Sequence, residues 1–153
     1  IVVVSSAPQI RYPDYYGIDM PRLEEFCTFR AAIQLLKDRE MTKVIEDTYH
    51  LCKAEIDKPK QEMLNRVRDI YAPFTVDEIN VKMVEMLRPN GMTTPIEIVY
   101  QSMEGLRSAV PDNRGNWYFS GHYPTPGGTK LCNQAFVNYV ENIYNIEQKK
   151  SKK

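Results

Sequence analysis

The first four residues of the stretch IVVVSSAPQIRYPDYYGIDM, residues 1–20, give the main indication of the fold class. These residues are apolar and mostly β-branched, a run typical of a strand that is covered on both faces in a parallel sheet. Residues 5–19 hold Pro8, Pro13, Gly17 and several aromatic side chains, which indicates an ordered loop. Because α/β sheets bind ligands at the carboxyl ends of their strands, we predict that this loop borders a binding site.

Helical patterns dominate the rest of the chain, so we predict a mostly α fold with a few strands, as in a piece of an α/β domain. Apolar residues at helical spacing predict helices over residues 21–36, 42–56 and 63–71. The Thr75-to-Glu78 spacing matches a capping box and predicts a helix that ends before Pro89. Further along we predict a strand over 96–100, a helix over 102–109, a short strand over 117–119 and a long helix from about Thr129.

Length and composition exclude several classes of protein. The 153 residues are enough for one domain with one hydrophobic core, and 42% hydrophobic with 26% charged residues excludes general disorder. Lys and Arg number 20, as do Asp and Glu, so the net charge of zero gives no sign of a nucleic-acid-binding protein. No apolar run approaches the length of a membrane span. Three widely spaced cysteines do not form a disulfide framework and favour a reducing, cytoplasmic location.

Few residues offer recognisable chemistry on spacing alone. His50 has no ligand partner at helical spacing, so we interpret it as structural, whereas His122 lies in a loop where a binding role is more plausible. Cys27, Cys52 and Cys132 are best interpreted as packing residues. Residues 127–130, Gly-Gly-Thr-Lys, open a helix and leave two interpretations open, an anion site or a plain turn.

Three stretches of the chain resemble the phosphoribosyltransferase domain of amidophosphoribosyltransferases. The first is the strand followed by Ser-Ser-Ala-Pro, Ile-Arg-Tyr-Pro and Tyr-Gly-Ile-Asp-Met within residues 1–20. The second is Tyr-Gln-Ser-Met-Glu-Gly-Leu at 100–106, and the third is Phe-Ser-Gly-His-Tyr-Pro-Thr at 119–125. Their order agrees with the family, and together they cover about a third of the chain.

The resemblance implies the C-terminal part of a longer enzyme. It implies that residues 1–34 hold the last parallel strand, site loop and first helix of the phosphoribosyltransferase domain. Residues 35–92 would be a helical insertion, 93–148 a C-terminal αβ segment with a long helix, and 149–153 a disordered tail. The parent would hydrolyse glutamine and transfer ammonia to phosphoribosyl pyrophosphate (PRPP), with Mg²⁺ bound to PRPP, in purine biosynthesis.

The resemblance also implies site residues and partners. Arg11, Tyr15, Tyr16, Gly17 and Asp19 would build the substrate-binding loop beside the active cleft, without a covalent role, and Arg11 would contact phosphate. The glutaminase nucleophile and the PRPP loop would lie upstream, so we expect this piece to be inactive alone. Expected partners are those upstream segments and further copies in a homo-oligomer, with neither nucleic acid nor membrane.

Some members of the family hold an iron–sulfur cluster, and this sequence departs from their pattern. Where they place a cysteine before Tyr-Gly-Ile-Asp, this chain has Asp14 and Tyr15, and it has no cysteine near Trp117. We therefore predict a cluster-free protein. An alternative function of another class stays open, a non-catalytic interaction or regulatory module in which the helices of residues 35–88 form a docking surface.

Overall fold

The computed structural model describes residues 1–152 and is mostly helical, with two short parallel strands. The strands are β1 (Val2–Ser5) and β2 (Glu97–Tyr100). The helices are α1 (Cys27–Asp38), α2 (Lys43–Ile56), α3 (Arg68–Tyr71), α4 (Val76–Leu87), α5 (Met103–Ala109), α6 (Trp117–Ser120), α7 (Pro126–Tyr139) and α8 (Asn145–Ser151). Single 3₁₀ turns lie at Leu23–Glu25 and Lys60–Glu62. The predicted fold class is therefore confirmed at the level of a mostly α chain with a few strands.

The two strands pair in parallel, with Val2 opposite Glu97 and Ser5 opposite Tyr100. Within the described residues each strand has only this one neighbour. The described residues do not cover both faces of β1, because Val2 and Val4 are 61% and 73% exposed. The apolar run correctly indicates a strand, but it does not indicate how far that strand is buried within residues 1–152.

The hydrophobic core is built by the long helices. Helix α2 packs against α7, and α1 packs against α4, which also contacts β2. Phe29 of α1 contacts Tyr139 edge-on at a ring-centroid distance of 4.9 Å, and Phe136 at 6.1 Å. Ile79 of α4 is also fully buried. One core therefore contains side chains from residues 1–34, 35–92 and 93–148.

The capping box that begins α4 is confirmed. The Thr75 hydroxyl accepts a hydrogen bond from the Glu78 amide at 3.2 Å, and the Thr75 amide donates to the Glu78 carboxylate at 2.7 Å. Arg39, which follows α1, forms an ion pair with the same carboxylate at 2.7 Å. The start of α4 is thus fixed locally by its sequence and also joined to α1.

The helix predicted over residues 63–71 is wrong except for its last turn, α3. Side chains from elsewhere bind the backbone of this segment: the Glu55 carboxylate accepts from the Leu64 amide at 2.9 Å, and the Asn133 side chain accepts from the Arg66 amide at 3.0 Å. The Asn133 amide also donates to the Leu64 carbonyl at 2.9 Å. Together these bonds hold residues 63–67 in a path other than a helix.

Two further elements differ from the predictions. The strand predicted over 117–119 is the helical turn α6, which ends where Gly121 adopts a φ of +73° that favours glycine. The helix expected from Pro21 begins at Cys27, after a 3₁₀ turn.

The last helix begins at Pro126, earlier than expected, and continues through a π-helical turn at Val140–Tyr144 into α8. Most of the tail predicted to be disordered, residues 149–153, is therefore helical up to Ser151, while Lys153 lies outside the described residues. Within residues 1–152 no helix is both long and apolar enough to cross a lipid bilayer.

Candidate functional site

The loop after β1 is anchored by a buried glutamine. Gln9 is 3% exposed, and its side-chain amide donates to the Val76 carbonyl at 3.1 Å and to the Asn80 side chain at 2.8 Å. Both acceptors belong to α4. The loop therefore has a fixed position against that helix.

Arg11 is held by this glutamine and by an aromatic ring. Its Nε and Nη2 donate to Gln9 Oε1 at 3.1 and 2.7 Å, and its Cζ lies 5.0 Å from the centre of the Tyr71 ring. The Tyr71 hydroxyl donates to the Arg11 carbonyl at 2.8 Å. Both the backbone and the guanidinium of Arg11 are thus constrained.

Two buried phenols lie beneath Arg11. Tyr12 is 3% exposed and contacts Tyr71 edge-on at 5.4 Å. Burial raises the pKa of Tyr12 and of Tyr71 well above the ordinary value of 10.0. Both hydroxyls therefore stay protonated near neutral pH, and that of Tyr71 acts as a hydrogen-bond donor, not as a base.

Arg11 lines an open groove of about 810 Å³. Its walls come from three separated segments, residues 11–12, 63–74 and 119–123, together with Thr129 of α7. Charged groups in the lining are Arg11, Arg66, Arg68 and Asp69, and the loop residue His122 lines it as well. Such a concave surface with convergent polar groups is the usual form of a small-molecule site.

The other predicted site residues do not line this groove. Tyr15 packs edge-on against Trp117 at 5.3 Å, and its hydroxyl donates to the Tyr16 hydroxyl at 2.8 Å. Tyr16 is 68% exposed, and Asp19 is exposed as well. Gly17 has a φ of +72°, which its missing side chain permits. The structure therefore separates Arg11 from the cluster of Tyr15, Tyr16, Gly17 and Asp19.

The carboxyl edge of the sheet brings together two of the motifs identified in the sequence. The Gln101 amide donates to the Ser5 carbonyl at 3.2 Å, so the loops that follow β1 and β2 leave side by side. Ser102 caps α5 by accepting from the Gly105 amide at 2.9 Å. The loop segments 5–8 and 101–105 thus both start at the same edge of the sheet.

The third motif contacts the first. The Tyr118 carbonyl accepts hydrogen bonds from the amides of Arg11 and Tyr12 at 2.8 and 3.2 Å. The Tyr123 hydroxyl donates to the Pro13 carbonyl at 2.7 Å. Residues 118–123 therefore lie against the loop that follows β1.

The Gly-Gly start of α7 has a packing explanation. A side-chain carbon on Gly128 would lie 2.6 Å from Tyr123 Cδ1 and 2.9 Å from Tyr15 Cβ. The Gly128 amide donates to the Thr125 hydroxyl at 3.3 Å. These contacts favour the turn interpretation over the anion site, because one amide is already paired and aromatic groups pack against the glycine.

The three cysteines differ in their exposure to solvent. Cys27 is exposed, whereas Cys52 and Cys132 are buried. Burial raises the pKa of the Cys52 thiol, and it raises that of Cys132 to about 12. Among residues 1–152 no group of three or more His, Cys, Asp or Glu side chains is arranged to hold a metal ion.

Sequence reasoning identified Arg11 and His122 but missed Arg66, Arg68 and Tyr71. No local pattern marks these three residues, since they join the groove only when residues 63–74 fold back against the first loop.

Comparison with protein-family models, with curated proteins and with solved structures returned no match.

Proposed function

We propose that the chain is the C-terminal part of an amidophosphoribosyltransferase-like protein. The parent converts glutamine, PRPP and water into glutamate, phosphoribosylamine and pyrophosphate, the glutamine amide nitrogen passing to the ribose carbon as pyrophosphate leaves. The observation that supports this proposal is the parallel pairing of β1 with β2, which brings the loops at residues 5–8 and 101–105 to one sheet edge. In α/β proteins, ligands bind at the carboxyl ends of the parallel strands, which is this edge of the sheet.

Contacts among the three resembling stretches give further support. Tyr123 of the third stretch donates to the Pro13 carbonyl, and Tyr118, one residue before that stretch, accepts from the amides of Arg11 and Tyr12. Stretches that are separate in the sequence, and that resemble one family in the same order, thus form one continuous region. The proposal places Tyr15, Tyr16, Gly17 and Asp19 on the substrate-facing part of this region, and all of them except the half-buried Tyr15 are exposed.

The open sheet fits a place in a larger sheet. Val2, Val3 and Val4 are each more than half exposed, although such runs are typically covered in parallel sheets. In our proposal the upstream glutaminase and phosphoribosyltransferase segments of the parent cover these faces. The parent is proposed to work as a cytoplasmic homo-oligomer.

The proposed protein has no iron–sulfur cluster. One exposed and two buried cysteines are not a donor set for an iron–sulfur cluster. Asp14, which stands where some members of the family have a cysteine, is buried and accepts a hydrogen bond from the Tyr118 hydroxyl at 3.1 Å. In the proposal Mg²⁺ enters with PRPP and is held by upstream residues. The described part of the chain supplies loop contacts and scaffold, without a nucleophile.

The proposal is tested by Tyr16→Phe and Asp19→Asn in the full-length parent. Removing one hydrogen bond to a charged group costs about 1.5–3 kcal/mol, so we expect PRPP-dependent synthesis to fall roughly 10- to 150-fold. Glutamine hydrolysis without PRPP is expected to change little, because that chemistry lies in another domain. Since both side chains are exposed, the melting temperature should stay the same.

Tyr49→Phe is the matched control. Tyr49 lies on α2 and its hydroxyl donates to Glu141 at 2.7 Å, away from the loop, so this variant should retain both activities. Equal losses of both half-reactions in Tyr16→Phe and Asp19→Asn would contradict the site assignment. A parent that lacks an N-terminal cysteine after Met and a strand ending in paired acids would instead favour the interaction-module alternative.

A further inference from the structure

The groove lined by Arg11 carries more positive than negative side chains. Three arginines line it, Arg11, Arg66 and Arg68, against the single carboxylate of Asp69. Arg66 is paired with buried Glu55, with Nε 2.9 Å from Oε1. Among residues 1–152, neither Arg11 nor Arg68 forms an ion pair with a carboxylate. Two guanidinium groups of the groove are therefore outside any ion pair, with Asp69 as the one carboxylate in the lining.

Arg11 is oriented before any ligand binds. Two of the five N–H groups of its guanidinium are taken by the neutral side chain of Gln9, which is itself fixed to α4. The remaining three N–H groups are not used by Gln9. Because the orienting partner is neutral, the positive charge is uncompensated, and the side chain loses little freedom when an anion binds.

The size of the groove fits an anion with an attached organic group. Its volume of about 810 Å³ lies within the range of small-molecule sites and exceeds what a free phosphate needs. Phe119 and Tyr123 are half-buried in its walls and offer aromatic surface. Arginine forks match the oxygen geometry of phosphate better than other cationic side chains do.

We propose that this groove binds a phosphate group, either as free phosphate or as the monoester of a small organic molecule, with Arg11 and Arg68 as the anion-binding side chains. None of residues 5–8 or 101–105 lines the groove, and Arg11 is the only one of the five predicted substrate-binding residues that does. The proposal shares Arg11 with the proposed function and otherwise goes beyond it. It is tested on this chain alone, whereas the proposed function is tested by catalysis in the parent.

The experiment is isothermal titration calorimetry of the 153-residue chain in low-salt buffer, with inorganic phosphate, phenyl phosphate and phenol as probes. We expect saturable binding of at least one phosphate probe and none of phenol. Arg68→Gln and Arg11→Gln should each weaken phosphate binding roughly 10-fold or more. Arg11→Lys should weaken it less, since the charge stays while the fork is lost. Arg107→Gln, which removes an exposed charge on α5, should change nothing.

The probes distinguish the two sources of phosphate. Tighter binding of phenyl phosphate identifies an organic monoester, and equal or tighter binding of inorganic phosphate identifies the free anion; both support the site. Because Arg11→Gln removes the donor to Oε1 of buried Gln9, Arg68→Gln is the deciding variant, with its melting temperature checked. The proposal is overturned if neither phosphate probe binds saturably at millimolar concentration. Equal affinities for Arg68→Gln and Arg107→Gln would overturn it as well.

Discussion

Glu55 is a buried carboxylate that joins two segments of the chain. It is 1% exposed, and Oε1 accepts from Lys58 Nζ at 2.8 Å and from Arg66 Nε at 2.9 Å, while Oε2 accepts from the Leu64 amide. Burial alone would raise the pKa of this group. The donors outweigh that effect, so the pKa of Glu55 lies below its ordinary value of 4.5.

A lowered pKa in the folded state makes stability depend on pH. The stabilisation by Glu55 is present above pH 4.5 and is lost as the pH falls below 4.5 through the folded-state pKa. We expect Glu55→Gln to lower the free energy of unfolding by about 1–3 kcal/mol at pH 7 and by less in acid. Urea unfolding at several pH values measures this. The exposed Glu62→Gln is the control, and an equal loss at all pH values would contradict the assignment.

At the scale of single elements, the capping box of α4 gives a local test. Thr75→Ala removes the acceptor of the Glu78 amide, and such changes cost about 1 kcal/mol. We expect a correspondingly lower unfolding free energy by denaturant titration. Thr94→Ala, in the exposed turn before β2, is the matched control and should have little effect.

Asn133 of α7 determines the path of residues 64–66. It is fully buried and pairs with the Arg66 amide and the Leu64 carbonyl. Asn133→Ala leaves both backbone groups without these partners, and we expect a loss of about 2–3 kcal/mol in unfolding free energy. The control on the same helix is Asn138→Ala, which is exposed. Similar melting temperatures for the two variants would show that Asn133 does not hold the segment.

These elements show which parts of the fold can be predicted from sequence. Helices α2 and α4 carry their own signals, an apolar stripe and a capping box, and were predicted within a few residues. Residues 63–67 have an equally helical pattern, yet side chains 9 and 67 positions away, Glu55 and Asn133, bind their backbone. A local pattern contains no information about such partners.

At the scale of the whole molecule, one core connects the three parts that the resemblance distinguishes. Phe29, Ile79 and Phe136 come from different parts and are all fully buried. We therefore expect one cooperative unfolding transition, with far-UV and near-UV circular dichroism coinciding. Phe136→Ala should shift that single transition by about 3–5 kcal/mol. Two separate transitions would indicate that the helices of residues 35–92 fold independently.

The candidate site was only partly predictable for a related reason. Arg11 stands in a loop whose prolines and aromatic residues already suggested binding. Arg68 lies in a helix of four residues with no motif, and only folding brings it to the same groove. Tyr15, Tyr16, Gly17 and Asp19, predicted together with Arg11, lie outside that groove. The chain turns between Arg11 and these residues, over residues 14–17, where the Gly17 amide donates to the Asp14 carbonyl at 3.4 Å.

The uncovered strand β1 also affects how the isolated chain behaves in solution. Its apolar side chains are exposed, and within the described residues one of its edges has no strand beside it. Exposed edges of this kind template the addition of further strands from other molecules. We therefore expect the four residues of β1 to promote aggregation of the isolated chain. Val4→Lys or dilution should reduce this aggregation without changing the core.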